Sequence, residues 1–473
     1  MAINTISFPA LRLIICAIAF AATAAIQSTA RAQGPHSVVD NMTWLDNGRI
    51  RLGVDLTLGG AVTYLGPSKT GPNLINSFDC GREVQLSFYS GPNPFEPNGQ
   101  KPAPQWAGLG WNPIQCGDYA GNRSKILESK NDGKTITVKC IPMQWPLNNV
   151  PGECTFECVY RLSGSVVEAA CTLNNSRSDL TQYSAHDQEL PAVYTNGPWY
   201  RLVSYIGEKP FTHDIPTTIV DLNDGKGWPW VNFNAVERWT ALVNSSGFGL
   251  GVWNPGTTNV IGGFSGAKGA GGEQDSPTGY IAPLRTEILD HNIVYTYSYA
   301  LIVGTIDQIR DYAYAHRPKA DIPNYTFKSD RQGWSYAGCT DSGWPISNCL
   351  DITAPPGART ALVGPKTFWN AEAAPALYIR ASFKTDAGSL TVSCEQNIDH
   401  DTPCWGSPPP ERRQTTPASV DIIGDGVIRT YAVNLNSTSD YTGGMDKLNI
   451  TLPPGHSKIY AIGFNKSAVD NTR

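Results

Sequence analysis

One stretch of this 473-residue chain carries a helix signature, and that scarcity constrains the fold more than any motif does. Thr305 stands as an N-cap with Gln308 three positions on, and Ile306, Ile309, Tyr312 and Ala313 recur at helical spacing before Pro318 ends the run. The rest reads as short strands between turns. Residues 49–56 alternate in polarity, Gly59-Gly60 turns the chain, and residues 61–65 resume the alternation. Residues 135–140 form another strand, and Ser163-Gly164-Ser165 joins residues 156–162 to 166–173 as a hairpin. One register of that hairpin sets Cys158 opposite Cys171, and a shifted one sets Cys154 there. Residues 236–243, 247–253 and 293–303 continue the series, the last with Tyr295, Tyr297 and Tyr299 on one face. The 46 Gly and 35 Pro supply the turns, and charged residues at 16% fall below the roughly 25% usual in globular chains. The expected class is all-β.

The ends and the linkers divide the chain. Residues 1–32 read as an export signal: Arg12 precedes the apolar run 13–25, and Ala30-Arg31-Ala32 offers small residues for cleavage. The protein is therefore expected to be secreted or periplasmic, with no membrane attachment once the signal is removed. Residues 33–317 are read as one large antiparallel domain closed by the short helix, and residues 318–324, bracketed by prolines, as a linker. Residues 325–473 are read as a smaller β-sandwich. Ten of the eleven cysteines follow the signal, an even number that in an exported chain points to disulfides, with Cys339–Cys349 and Cys394–Cys404 as local pairs. The net charge is −5 and the longest basic cluster is Arg412-Arg413, so nucleic acid is not an expected partner.

The densest acid–base inventory is the segment 184–194, which sets His186, Asp187, Gln188 and Glu189 ahead of an apolar run. On a strand, Asp187 and Glu189 share one face while His186 and Gln188 share the other. Three further polar and aromatic stretches compete with it: Arg82 and Glu83 near Tyr89, Trp111-Asn112 leading to Asp118, and Glu237-Arg238-Trp239. Asp118, bounded by glycines, also suits a turn. The glycine-rich run 262–272 lacks the GK[ST] ending of a phosphate loop. No HExxH occurs, and His213-Asp214 and Asp290-His291 are isolated pairs, so neither a metal nor another cofactor is expected.

Several segments together carry a family resemblance. Asn47-Gly48-Arg49-Ile50, Gly59-Gly60, Asn73-Leu74-Ile75-Asn76 and Asp79-Cys80-Gly81-Arg82-Glu83 resemble the N-terminal part of galactose-mutarotase-like β-supersandwich proteins. The resemblance covers roughly residues 38–303. It implies carbohydrate binding on the concave face of a large antiparallel sheet, in a superfamily of sugar epimerases and of domains of glycoside hydrolases and polysaccharide lyases. His186 and a downstream Glu, Glu237 or Glu287, are candidates for the epimerase positions, but the surrounding epimerase motifs are absent. Gly333-Trp334, residues 424–431 and Asp440-Tyr441 resemble jelly-roll carbohydrate-binding modules.

The function expected from these readings is a secreted glycoside hydrolase acting on a polysaccharide or oligosaccharide. Glu189 and Glu237 form its carboxyl pair, with His186 beside them. Arg82, Glu83, Trp111, Asn112, Asp118, Gln188 and Trp239 are the expected substrate contacts. Glycan binding without catalysis is the alternative, together with a lyase or epimerase on the same fold. A lyase would take His186 or a Tyr as base and Arg82 to neutralise a uronate carboxylate.

Overall fold

The computed structural model describes residues 41–69, 71–219, 229–319, 322–398 and 413–472. The expected signal and Cys404 lie outside the described residues. Strand periodicity is plain wherever a strand has one solvated face: Thr135–Ile141 alternates half-buried and buried positions along its whole length. Its edge neighbour Lys125–Asn131 is mostly exposed and carries Lys125, Glu128 and Lys130, charges that discourage another chain from adding to the edge.

Two antiparallel sheets make up the first part of the chain. In the ten-stranded sheet the order is Met42–Asp46, Ile50–Asp55, Ala61–Pro67, Val84–Ser87, His186–Asn196, Thr278–Glu287, Asn259–Ser265, Trp230–Asn234. Pro113–Ile114 and Met143–Gln144 attach beside Val84–Ser87. The nine-stranded sheet is centred on Phe248–Trp253, Val294–Thr305, Val166–Asn175 and Cys154–Ser163. Between the sheets lies one continuous core that includes Leu52, Phe88, Trp111, Phe156, Tyr160 and Tyr295. Fully burying each such side chain contributes roughly 1.5–3 kcal/mol.

The helix Ile306–Ala315 forms where its signature stands. Thr305 Oγ1 accepts from Gln308 N–H at 3.4 Å, and the Gln308 side chain accepts from Thr305 N–H at 3.0 Å. It covers the outer face of the nine-stranded sheet, burying Ile309 and Ala313 against Trp239, Ala241 and Ile302. Gly251 permits this approach, because a Cβ there would stand 2.4 Å from Ile309 Cγ2. After the helix, two six-stranded sheets close a second, smaller sandwich around Trp334, Trp369, Phe383 and Tyr441. The aromatic residues of its module-like segments are core: Trp334 is fully buried, and the Tyr441 hydroxyl bonds Ala374 and Trp369.

Two sequence expectations change here. The strand read from residue 236 begins at Trp239, and Val236, Glu237 and Arg238 form a turn instead. The hairpin takes the register that pairs Cys158 with Cys171, yet their sulfurs stand 3.6 Å apart, and the nine described cysteines are free thiols. Among the described residues the expected bridge Cys339–Cys349 is not formed, and the expected partner of Cys394, Cys404, lies outside them. Most of these thiols lie inside the packed sheets, and burial pushes those of Cys80 and Cys394 up to about 12.

Candidate active site

Among the described residues no α-helix packs on the outer face of the ten-stranded sheet, and side-chain alternation decides what it presents. On Val84–Ser87, Val84 and Leu86 enter the core, so Gln85 and Ser87 face outward. On Thr278–Glu287, Ile281 enters the core while Tyr280, Ala282 and Leu284 pack together on the outer face with Ala192, Tyr194, Trp230 and Ile261.

Glu189 reaches that face through an irregularity. Strict alternation would put Glu189 with Val193, which is in the core. The register shifts between these two residues, so Leu190 and Val193 both point inward while Glu189, Ala192 and Tyr194 point outward. The bulge thus turns a carboxyl that parity would bury between the sheets toward a cavity.

The cavity holds about 110 Å³ of free space. Trp230, Tyr194 and Tyr280 line one side, with ring centroids 4.7 Å apart for the tyrosines and 5.0 Å for Trp230 and Tyr280. Trp106, from the 3-10 segment Pro104–Leu109, meets Trp145 edge-on at 5.3 Å on another. At its floor, Glu189 Oε1 accepts hydrogen bonds from the hydroxyls of Tyr280 at 2.6 Å and Tyr89 at 3.1 Å. Burial raises the Glu189 pKa, while bonds from Tyr280, Tyr89 and Ser87 oppose the rise by favouring the charged form.

Two polar groups in the lining have unused bonding capacity. Asn112 donates to the Phe88 carbonyl at 2.8 Å, but its buried Oδ1 accepts nothing. Arg82 donates from Nη1 to the Ser276 carbonyl at 2.9 Å, while its Nε faces Asp79 Oδ2 at 3.5 Å as an ion pair without hydrogen-bond geometry. Buried polar atoms left in this state are costly unless a ligand or solvent completes them.

Three of the ten residues expected at the site therefore line this cavity: Glu189, Arg82 and Asn112. The others are placed elsewhere. Glu237 lies beneath the helix, where its oxygens accept from Arg310 at 2.8 and 2.9 Å, Trp239 Nε1 at 2.8 Å, Tyr314 at 2.9 Å and Phe211 N–H at 2.8 Å. It is a structural anchor on the opposite side of the sandwich, and the expected Glu189–Glu237 pair does not assemble. Trp239, buried with it, is an anchor as well.

His186 stands across from Glu287 and does not line the cavity; burial lowers its pKa. Glu287 contacts Arg285 at 2.6 Å and accepts from Tyr295, and burial pushes it up to about 7 despite that cation. Gln188 holds Tyr89 by bonding both its backbone N–H and its carbonyl, at 2.7 and 2.8 Å, so it positions Tyr89 rather than a sugar. Glu83 is fully buried and accepts from the Cys116 thiol at 2.9 Å. Trp111 is core. Asp118 ties its own loop, accepting from the backbone N–H groups of Ala120, Asn122 and Asn149. Tyr89 closed one of the competing stretches without being given a role, and the residues missed by sequence reading are Tyr280, Trp230, Trp106 and Trp145. Their signal was the abundance of aromatics, which does not say which ones face outward.

No family model matches the chain, and no curated protein matches it. Among solved structures, 55–56% of the chain is similar to galactose mutarotase-like proteins. A galactose mutarotase related enzyme from Lactobacillus acidophilus is 10% identical with a TM-score of 0.36, and 97% of that chain is covered. A galactose mutarotase-like protein from Lactobacillus casei is 11% identical with a TM-score of 0.35, covered over its full length. A 4-alpha-glucanotransferase from Thermococcus litoralis is 10% identical with a TM-score of 0.32, with 37% of that chain covered.

Proposed function

We propose that this protein binds a carbohydrate in the Glu189 cavity and cleaves a glycosidic bond there, with Glu189 as the proton donor. The observation that carries this reading is the Glu189 carboxyl itself. It is buried, shifted toward its protonated form, held by two tyrosine hydroxyls and walled by aromatic rings. Flat rings suit the apolar faces of sugar rings. A carboxyl whose pKa is raised by burial suits protonation of a leaving oxygen. Asp79, at the cavity beside Arg82, is the other carboxylate of the lining and takes the role of base or nucleophile.

Arg82 favours one second reading. A guanidinium lining the cavity suits the carboxylate of a uronate, which would compete with Asp79 for it, and elimination would then replace hydrolysis. Incubation with a panel of neutral and acidic oligosaccharides, followed by product analysis, tests both. New reducing ends that disappear in Glu189→Gln support hydrolysis, and unsaturated products absorbing in the ultraviolet support elimination. Glycans bound but recovered intact would reduce the cavity to a binding site.

A further inference from the structure

A second cavity, of about 780 Å³, opens where the first pair of sheets meets the C-terminal sandwich. Its volume is within the roughly 300–1,000 Å³ of small-ligand sites. The two parts of the chain are also joined by charge. Arg331 of the second sandwich contacts Asp290 of the first unit at 2.7 Å and Asp341 at 2.6 Å, and Gln182 donates to both of these aspartates.

The lining of this cleft is basic, with Arg238, Arg285, Arg317 and Lys366 against Glu208 and Asp330. Arg285 is already 2.6 Å from Glu287 and 4.0 Å from Asp330. Arg238 is different. It occupies the turn before Trp239–Val243 at φ +63°, a left-handed conformation unusual for a side chain of this size, and such strain persists where surrounding structure or function demands it. Its Nη1 donates to the Pro255 carbonyl, and among the described residues no carboxylate pairs with it. The adjacent Glu237 is engaged by Arg310. Burial draws the Arg238 pKa down, as expected for a desolvated cation without a counter-charge. In the same lining, the hydroxyl of Thr258, a residue only 3% exposed, makes no hydrogen bond. Phe211, Tyr325 and Phe368 provide aromatic walls.

We infer that this cleft is a second saccharide site, taking a sugar that carries a carboxylate or sulfate group, with the Arg238 guanidinium binding the anion and the Thr258 hydroxyl completing its shell. A guanidinium fork matches the paired oxygens of either anion. The saccharide part rests on the function proposed above, whereas the anion part stands on the cleft alone.

Calorimetric titration of the whole protein with trigalacturonate, galactose 6-sulfate and neutral galactotriose tests the inference. An anionic probe should bind, with affinity falling as salt rises. Arg238→Gln should weaken it at least tenfold, and Glu189→Gln should leave it unchanged. Preference for the uronate or for the sulfate identifies which anion the cleft takes. Arg238→Gly relaxes the left-handed turn, so it keeps the experiment decisive if the Gln variant fails to fold. Equal binding of the neutral trisaccharide, wild-type affinity in both Arg238 variants, or no binding of either anionic probe overturns the proposal. Cleavage lost in Glu189→Gln while the Arg238 variants bind normally would sink the cleft and spare the Glu189 reading. Arg238-dependent binding without any Glu189-dependent cleavage would do the reverse.

Discussion

Glu189 and Glu237 are both buried carboxyls among aromatic residues, yet they sit on opposite outer faces of the same sandwich and differ in what was packed over them. The helix covers the face that holds Glu237 and brings Arg310, which bonds both of its oxygens. Among the described residues no α-helix covers the face that holds Glu189, and its partners are neutral hydroxyls. A buried carboxylate given a cation becomes a strut. One given only hydroxyls beside an open cavity stays poised to exchange a proton.

The largest expected effect is at Glu189. Glu189→Gln should lower turnover by roughly 10²–10⁴-fold, the usual contribution of a positioned acid, while the urea midpoint stays at or above the wild-type value. The sign follows from its raised pKa. The stability this group contributes is fully present below its unfolded value and is lost as pH rises through the folded one, so the glutamine variant should gain relative to wild type as pH increases. A variant with full turnover would show the two faces to be alike.

Glu237→Gln should do the opposite. It leaves the Arg310 charge without its counter-ion, at a cost of about 3–5 kcal/mol in urea unfolding, and any of the variant that folds should keep its turnover per molecule. A stable but inactive Glu237→Gln would overturn the assignment of Glu237 as an anchor.

Thr305→Ala removes the helix cap and should cost about 1 kcal/mol, measured as a lowered melting temperature, with turnover unaffected because the helix lies away from the cavity. The finest probe is Tyr280→Phe. Losing the 2.6 Å bond to Glu189 removes support for the charged form, so the Glu189 pKa should rise further. If Glu189 donates the proton, activity falls as pH rises through that pKa, and the falling limb of the pH–rate profile should move to higher pH. An unmoved limb would mean that another group titrates.

How much of this was legible in the chain depended on the range of the interactions involved. The helix, its cap and the hairpin at Gly164 were readable because each depends on neighbours within a few positions. The bulge that separates Glu189 from Val193 was not readable, nor were the partners of Glu189, which lie 91 and 100 residues away. Trp111 and Trp239 looked like sugar platforms because composition does not distinguish a ring that faces solvent from one that fills the core.

An all-β chain and its capped helix Ile306–Ala315 were readable from local patterns, because hydrophobic period and turn chemistry are local properties, whereas the five-residue helix Lys466–Asp470 was not read. The tertiary structure alone decided which face the helix covers, and so which buried carboxyl receives an arginine and which is left with tyrosines. The physical reason is that desolvation and charge pairing depend on what surrounds a side chain in three dimensions, and those neighbours are brought together by strands distant along the chain.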